Sequence, residues 1–426
     1  MLSISDNKRY LIKDGKPFFW LGDTAWLIFA NITEEEAYIY LKNRADKGFT
    51  VIQAVLVYSL ENTEVVNRMY CAGIDAASEQ YWQHVDRIIK MADELGLYMA
   101  LLPSWGSLVK SQAITLDNVL DYGHFLAERY RDYNNIIWVL GGDIKAENYV
   151  DIYRKLGNYL KEATLDKLIT FHPFGRCSST MWFADDEWID FNMFQSGHRR
   201  YDQCSLGAWD DTDNPSYYGE DNWRYVANAL SVSNKPVLDG EPSYEWILQG
   251  LHDVSQPYWK AKDVRRYAYW SVLAGACGHT YGDNAVMQFY TPGHIGVNYG
   301  AACTWQEAIH HEGSGQMTHL KNLIESVDFI NGKPEDSLLL SGQKEKYERV
   351  AVFAGADYLI AYDYSGNSFT LDTSSYKGCE MWWASPVTGI KSYIGRCSSN
   401  VFDAPSFATI EHDNTDRVLM IRRGEI

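Results

Sequence analysis

Residues 81–102 read YWQHVDRIIKMADELGLYMALL. Tyr81, Trp82, Val85, Ile88, Ile89, Ala92 and Leu95 recur at helical spacing, Gly96 ends the pattern, and 97–102 is an unbroken apolar run. A helix that leads directly into a strand apolar on both faces is half of a strand, helix, strand unit with a parallel sheet. The unit recurs on both sides of this stretch. Upstream, an apolar run at 16–20 continues into Gly22-Asp23-Thr24-Ala25-Trp26. Thr33 with Glu36 forms a capping box, Gly48 closes the helix, and 51–57 is a nearly continuous apolar strand. Downstream, helices are predicted over 117–131, 149–162, 263–276 and 316–327, and strands over 136–140, 168–171, 190–194, 236–238 and 278–282.

Strands beginning near 18, 51, 97, 136, 168, 190, 236 and 278 make eight, which predicts a (β/α)8 TIM barrel over 1–332, opened by a hairpin around Asp14-Gly15. A doubly wound sheet is the alternative, but no GxGxxG follows the first strand. After Gly332 the pattern changes to short strands at 337–340, 349–353, 358–363, 368–371, 380–383 and 417–421, separated by Gly, Ser, Asn and Asp. This predicts a small all-β sandwich over 333–426, which either braces the barrel or binds a ligand.

The chain has 38 Lys and Arg against 56 Asp and Glu among its 426 residues, a net charge of −18 that disfavours nucleic acid and anionic membranes as partners. Its 15 Trp, 30 Tyr and 16 Phe exceed what a barrel core needs, and exposed rings bind the apolar faces of sugars, although bulky packing is the plain alternative. No run approaches the ~20 apolar residues of a membrane helix. The first fifteen residues lack the apolar core of a signal peptide, so the chain as written reads as cytoplasmic, or periplasmic or secreted if a leader was removed. Seven Cys (71, 177, 204, 277, 303, 379, 397), without a CxxC pair, read mostly as buried thiols.

In such barrels the active site lies at the C-terminal strand ends. The polar and aromatic residues there are Asp23 and Trp26 after strand 1, Tyr58 after 2, Ser104 and Trp105 after 3, and Asp143 after 4. His172 follows strand 5, Gln195 and His198 strand 6, Glu241 strand 7, and Tyr281 and Asp283 strand 8. Aromatics beside carboxylates at one rim suit a sugar. Asp143 and Glu241, each directly after an apolar strand and beside glycines at 141, 142 and 240, form the sharpest pair. Glycosidic cleavage needs one carboxyl to protonate the leaving oxygen while the sugar's other face is attacked. Structural rim carboxylates in salt bridges are the alternative. Asp239 competes with Glu241, but only one of them fits the orientation of a free residue past the strand end, and the longer Glu241 suits a nucleophile. His172 and His198 could join Asp23 or Asp283 in a metal site, but the His-x-His pair typical after strand 1 is absent and no metal or other cofactor is expected.

The blocks 16–26 (KPFFWLGDTAW), 138–143 (WVLGGD), 239–242 (DGEP) and 278–282 (GHTYG) together resemble the apiosidase-like glycoside hydrolases, glycoside hydrolase family 140, over residues ~10–330. In that family a similar C-terminal β domain carries a collagen-binding label. The resemblance implies a clan A type (β/α)8 hydrolase that cleaves the bond between D-apiose and a neighbouring sugar of pectic rhamnogalacturonan II. Carried over by position, Asp143 is the acid/base and Glu241 the nucleophile, with retention of configuration and no metal. Most clan A barrels have Asn-Glu after strand 4, where this chain has Gly142-Asp143. Trp26, Tyr58 and Trp105 are then expected to stack on the sugar, with Asp23, His172, Gln195, His198 and Asp283 at its hydroxyls. An arabinofuranosidase or β-glycosidase with the same machinery, or a non-catalytic carbohydrate- or matrix-binding protein, are the other readings.

Overall fold

The computed structural model describes residues 1–58, 79–203, 218–293, 299–342, 345–406 and 415–424. Cys71 and Cys204 lie outside them. The chain opens on an antiparallel hairpin, Leu11–Lys13 with Lys16–Phe18. Asp14 (φ 50°) and Gly15 (φ 77°) turn it in the left-handed conformation that a two-residue hairpin loop requires.

Eight strands follow at the predicted positions. They are Trp20–Thr24, Val51–Val55, Tyr98–Leu102, Ile136–Ile144, Ile169–Pro173, Asn192–Gln195, Val237–Asp239 and Gly278–Tyr281, numbered here as barrel strands 1 to 8. Strands 8, 1, 2, 3, 4 and 5 form one curled parallel sheet in that order, and strands 6 and 7 pair in parallel in another. Backbone hydrogen bonds close the ring. Asp190 N donates to Ile169 O at 2.8 Å beside strands 5 and 6, and Cys277 N donates to Val237 O at 2.9 Å beside strands 7 and 8.

The returning helices include Glu34–Asp46, Glu79–Glu94, Val119–Arg129, Val150–Ala163, Asn222–Val232, Ala261–Leu273 and Glu312–Glu325. The capping box forms as read: Thr33 Oγ1 accepts the Glu36 N–H, and Glu36 accepts the Thr33 N–H. Helix Glu79–Glu94 turns its apolar stripe of Tyr81, Trp82, Val85, Ile88, Ile89 and Ala92 inward, whereas Ala261–Leu273 is buried on all sides from Asp263 on. The short strand Cys177–Ser178, antiparallel to strand 6, and the short helix Thr180–Phe183 lie between strands 5 and 6.

The C-terminal part is two antiparallel sheets. Lys333–Pro334, Val350–Ala354, Tyr358–Asp363, Arg417–Arg422, Glu380–Ala384 and Lys391–Arg396 make the larger, and Leu339–Ser341, Phe369–Asp372 and Val401–Ala404 the smaller. Strand alternation gives the larger sheet two buried faces. Val350, Val352, Leu359, Ala361, Leu419 and Ile421 face the smaller sheet's Leu339, Phe369 and Leu371. Their neighbours Ala351, Phe353, Ile360, Tyr362, Val418 and Met420 join the barrel's core. The buried Arg265, on helix Ala261–Leu273, grips Asp416 with two bonds of 2.8 Å, and Tyr269 stacks on Tyr362 at 4.4 Å. The sandwich thus braces the barrel through a continuous core. Among the described residues no helix is long and apolar enough to cross a membrane.

Candidate active site

Strand 4 ends in a bulge. Gly141 pairs with His172, but the next paired residue is Ile144, which leaves Gly142 and Asp143 as extra residues. Gly141 (φ 97°), Gly142 (φ 96°) and Asp143 (φ 47°) are all left-handed, and a Cβ on Gly141 would lie 2.3 Å from the His172 carbonyl oxygen. Only glycine fits there, and the kink turns Asp143 towards the barrel mouth. Glu241 stands two residues beyond the last paired residue of strand 7. Its rival Asp239 faces away, held by Ser196 Oγ at 2.7 Å and Asn222 Nδ2 at 3.1 Å on the helix side.

An oxygen of Asp143, a ring nitrogen of His172 and an oxygen of Glu241 lie within 4.8 Å of one another. Glu241 is only 5% exposed. His198 Nδ1 accepts the Tyr244 backbone N–H at 3.4 Å, so the ring proton sits on Nε2, which donates to Glu241 Oε1 at 3.1 Å. His172 Nε2 lies 3.1 Å from Glu241 Oε2 but off the axis of a hydrogen bond. Asp143 takes a hydrogen bond from the Gln195 amide, and its buried Oδ1 has no partner among the described residues.

The two carboxyls are driven apart electrostatically. Burial and then the Glu241 charge push Asp143 up to about 7, against smaller lowering by His172, Gln195 and His198. Burial also raises Glu241, but the two imidazoles outweigh it and bring its pKa down to about 2. Near neutral pH one group can hold a proton while the other is ionised, the division of labour expected of an acid and a nucleophile.

Aromatic rings line the pocket. Trp26 meets Trp105 edge-on at 5.4 Å and His172 at 5.3 Å, and Tyr58, 36% exposed, extends the wall 5.4 Å from Trp105. On this wall Trp26 is buried, Trp105 half-buried and Tyr58 exposed. Replacing Tyr58 by Ala is expected to raise KM about fivefold to tenfold with little change in kcat, since stacking stabilises bound substrate and transition state alike; steady-state kinetics would check it.

The structure brings Asp143, His172, Gln195, His198, Glu241, Trp26, Trp105 and Tyr58 together at this mouth. It turns Asp23, Tyr281 and Asp283 away from it, which corrects their reading as sugar contacts. Asp23 faces the helix layer, where Arg44 Nε and Tyr40 Oη (2.6 Å) hold it. Tyr281 Oη donates to Glu245 at 2.6 Å, and Asp283 caps helix Asn284–Met287 and holds His311. The cause is strand parity. Trp20 Nε1 bonds Thr280 Oγ1 at 3.1 Å inside the ring, so the residues one step on, such as Tyr281, point outward.

Two further tyrosines belong to the site. Tyr244 Oη accepts from Trp26 Nε1 at 3.2 Å, and burial together with the Glu241 charge raises its pKa. Tyr299 is raised by burial and by the Asp143, Tyr58 and Glu241 charges. Neither follows an apolar run directly, so strand-end reasoning could not find them.

A family model described as "Apiosidase-like, catalytic domain" matches residues 5–331, and one described as "Putative collagen-binding domain of a collagenase" matches 333–422. A solved structure described as "Glycoside hydrolase" is 39% identical, with a TM-score of 0.92 over 99% of this chain and 97% of that one. A glycoside hydrolase family 5 protein from Bacteroides vulgatus ATCC 8482 is 38% identical, with a TM-score of 0.91 over 99% and 93%. A third, described as a putative glycoside hydrolase from the same organism, shares the fold at 15% identity and a TM-score of 0.66 over 100% of this chain and 82% of that one. A comparison with curated proteins gave no match. The chain belongs to the apiosidase-like family and is a glycoside hydrolase.

Proposed function

We propose that this hydrolase removes apiose from apiose-containing pectic oligosaccharides or glycosides, in the manner of rhamnogalacturonan II side-chain cleavage, by a retaining mechanism that uses no metal. The observation that carries the mechanism is the carboxylate spacing. An oxygen of Asp143 and one of Glu241 lie within 4.8 Å of each other, which supports the ~5–5.5 Å carboxyl separation of retaining enzymes over the ~6.5–9.5 Å of inverting ones.

In the first step Asp143 protonates the leaving oxygen while ionised Glu241 attacks the anomeric carbon; the glycosidic bond breaks and a glycosyl ester forms on Glu241. Asp143, now ionised, then takes a proton from water as the water oxygen attacks the same carbon, releasing sugar and free Glu241. His198 and His172 keep Glu241 ionised, and Trp26, Trp105 and Tyr58 hold the sugar ring. A five-membered apiosyl ring suits a site in which the short Asp143 replaces the usual Asn-Glu pair. The apiosyl specificity rests on family membership, and a panel of aryl glycosides tests it. The apioside is expected to have the highest kcat/KM; an arabinofuranoside or β-pyranoside cleaved faster would overturn the apiosyl reading. Sugar binding with no turnover of any member would favour a non-catalytic binding protein.

The same three side chains could also ligate a divalent cation. A metal-assisted reaction is therefore the second reading. Exhaustive treatment with a chelator is expected to leave kcat unchanged; loss of activity restored by one divalent ion would favour the metal.

A further inference from the structure

Away from the sugar site a thiol, an imidazole and a carboxylate stand in line. Cys303 Sγ lies 3.7 Å from His311 Nε2, and His311 Nδ1 lies 2.6 Å from Asp283 Oδ2. Asp283 is fully buried, and its Oδ1 accepts the backbone N–H groups of Ala285 and Val286, so its other oxygen is fixed on the imidazole. A carboxylate at Nδ1 places the ring proton there and turns the Nε2 lone pair to the sulfur. Trp246 stacks on the imidazole with centroids 5.3 Å apart. Cys303 and His311 are only half-buried, whereas Cys177, Cys277, Cys379 and Cys397 are buried.

The charged groups around the imidazole are Asp283, Glu245 on the loop after strand 7, Lys260 before helix Ala261–Leu273, and Glu307 on helix Trp305–Ala308. Burial lowers the His311 pKa, but Asp283 and Glu245 outweigh it and the pKa is raised. Burial, Asp283 and Glu307 raise that of the Cys303 thiol. The resting sulfur is therefore protonated, and its reaction needs a base.

We propose that Cys303 is a modification site for low-molecular-weight disulfides, with His311 as its base and Asp283 as the group that orients His311. His311 Nε2 takes the thiol proton as Cys303 Sγ attacks one sulfur of R–S–S–R. The new S–S bond forms, the old one breaks, and the leaving thiolate takes the proton from His311 to depart as RSH. Cys303 is oxidised to the mixed disulfide and half of the reagent is reduced to thiol. Tyr299, which the Asp143 and Glu241 charges influence, lies four residues before Cys303.

The test uses the full chain and the uncharged bis(2-hydroxyethyl) disulfide between about pH 5 and 9, with mass spectrometry of the Cys303 peptide. The logarithm of the modification rate is expected to rise until His311 has lost its proton and then to flatten, while N-acetylcysteine keeps climbing with unit slope. On the plateau H311Q is expected to react about tenfold slower or more. A wild-type profile of unit slope without a bend, an H311Q rate equal to wild type, or no adduct on Cys303 would each overturn the proposal. The wild-type profile stands alone should H311Q fail to fold.

Discussion

Glu241→Gln is expected to lower kcat by on the order of 10^4, about 5 kcal/mol of transition-state stabilisation, while sugar binding survives. Gln keeps the length of the side chain and an oxygen for His198 Nε2, which lies 3.1 Å from the native carboxylate, so the loss is chemical rather than structural. The shorter Glu241→Ala leaves space for an external anion. Azide is expected to restore turnover and to give a glycosyl azide of inverted configuration, because it attacks from the face that Glu241 occupied. Kinetics of both variants with an activated aryl glycoside would check this. More than about a tenth of wild-type activity in Glu241→Gln would contradict a covalent role, since a lost nucleophile costs far more than tenfold.

Asp143→Ala is expected to act selectively. For a poor leaving group, which must be protonated as it departs, kcat/KM should fall about 10^2–10^4-fold; for a dinitrophenolate, which needs no proton, the first step should be nearly unaffected. The pH dependence follows from the same group. The reaction needs Asp143 protonated and Glu241 ionised, and their pKa values are about 7 and about 2. Wild-type kcat/KM is therefore expected to fall as pH rises through about 7, as the free enzyme's acid loses its proton, with the acidic limb near 2. In Asp143→Ala the basic limb should vanish. A limb near 7 that persists in the variant would assign the acid to another group.

The barrel was legible because its signals are local. Seven apolar positions in 81–95 can only share a face on a helix, and the apolar run that follows needs burial on both sides, which a parallel sheet between helices supplies. The same logic fails for Lys391–Arg396, which was not predicted as a strand. Its burial pattern shows no apolar face, because it is the edge strand of the larger sheet. Val401–Ala404, also missed, lies at the edge of the smaller one.

In the site, position after a strand was readable but orientation was not. Asp143 stands in a bulge that breaks the pairing and Glu241 past the last pair, where the chain is free to turn inward. Asp23 and Tyr281 still belong to paired strands, and a one-residue step sends them to the helix layer beside Arg44. The bulge that re-aims Asp143 was only hinted at by Gly141-Gly142; its three successive left-handed residues appear only in the backbone. Tyr244 and Tyr299 arrive on loops whose path depends on packing rather than on any local period.

The central claim is that Glu241 attacks the sugar directly and carries it as an ester. The most direct measurement is the anomeric configuration of the methyl glycoside formed when the aryl glycoside is turned over in aqueous methanol and followed by NMR. Two successive displacements, by Glu241 and then by methanol, are expected to return the configuration of the substrate. A methyl glycoside of the opposite configuration would mean a single displacement and would contradict the covalent role of Glu241.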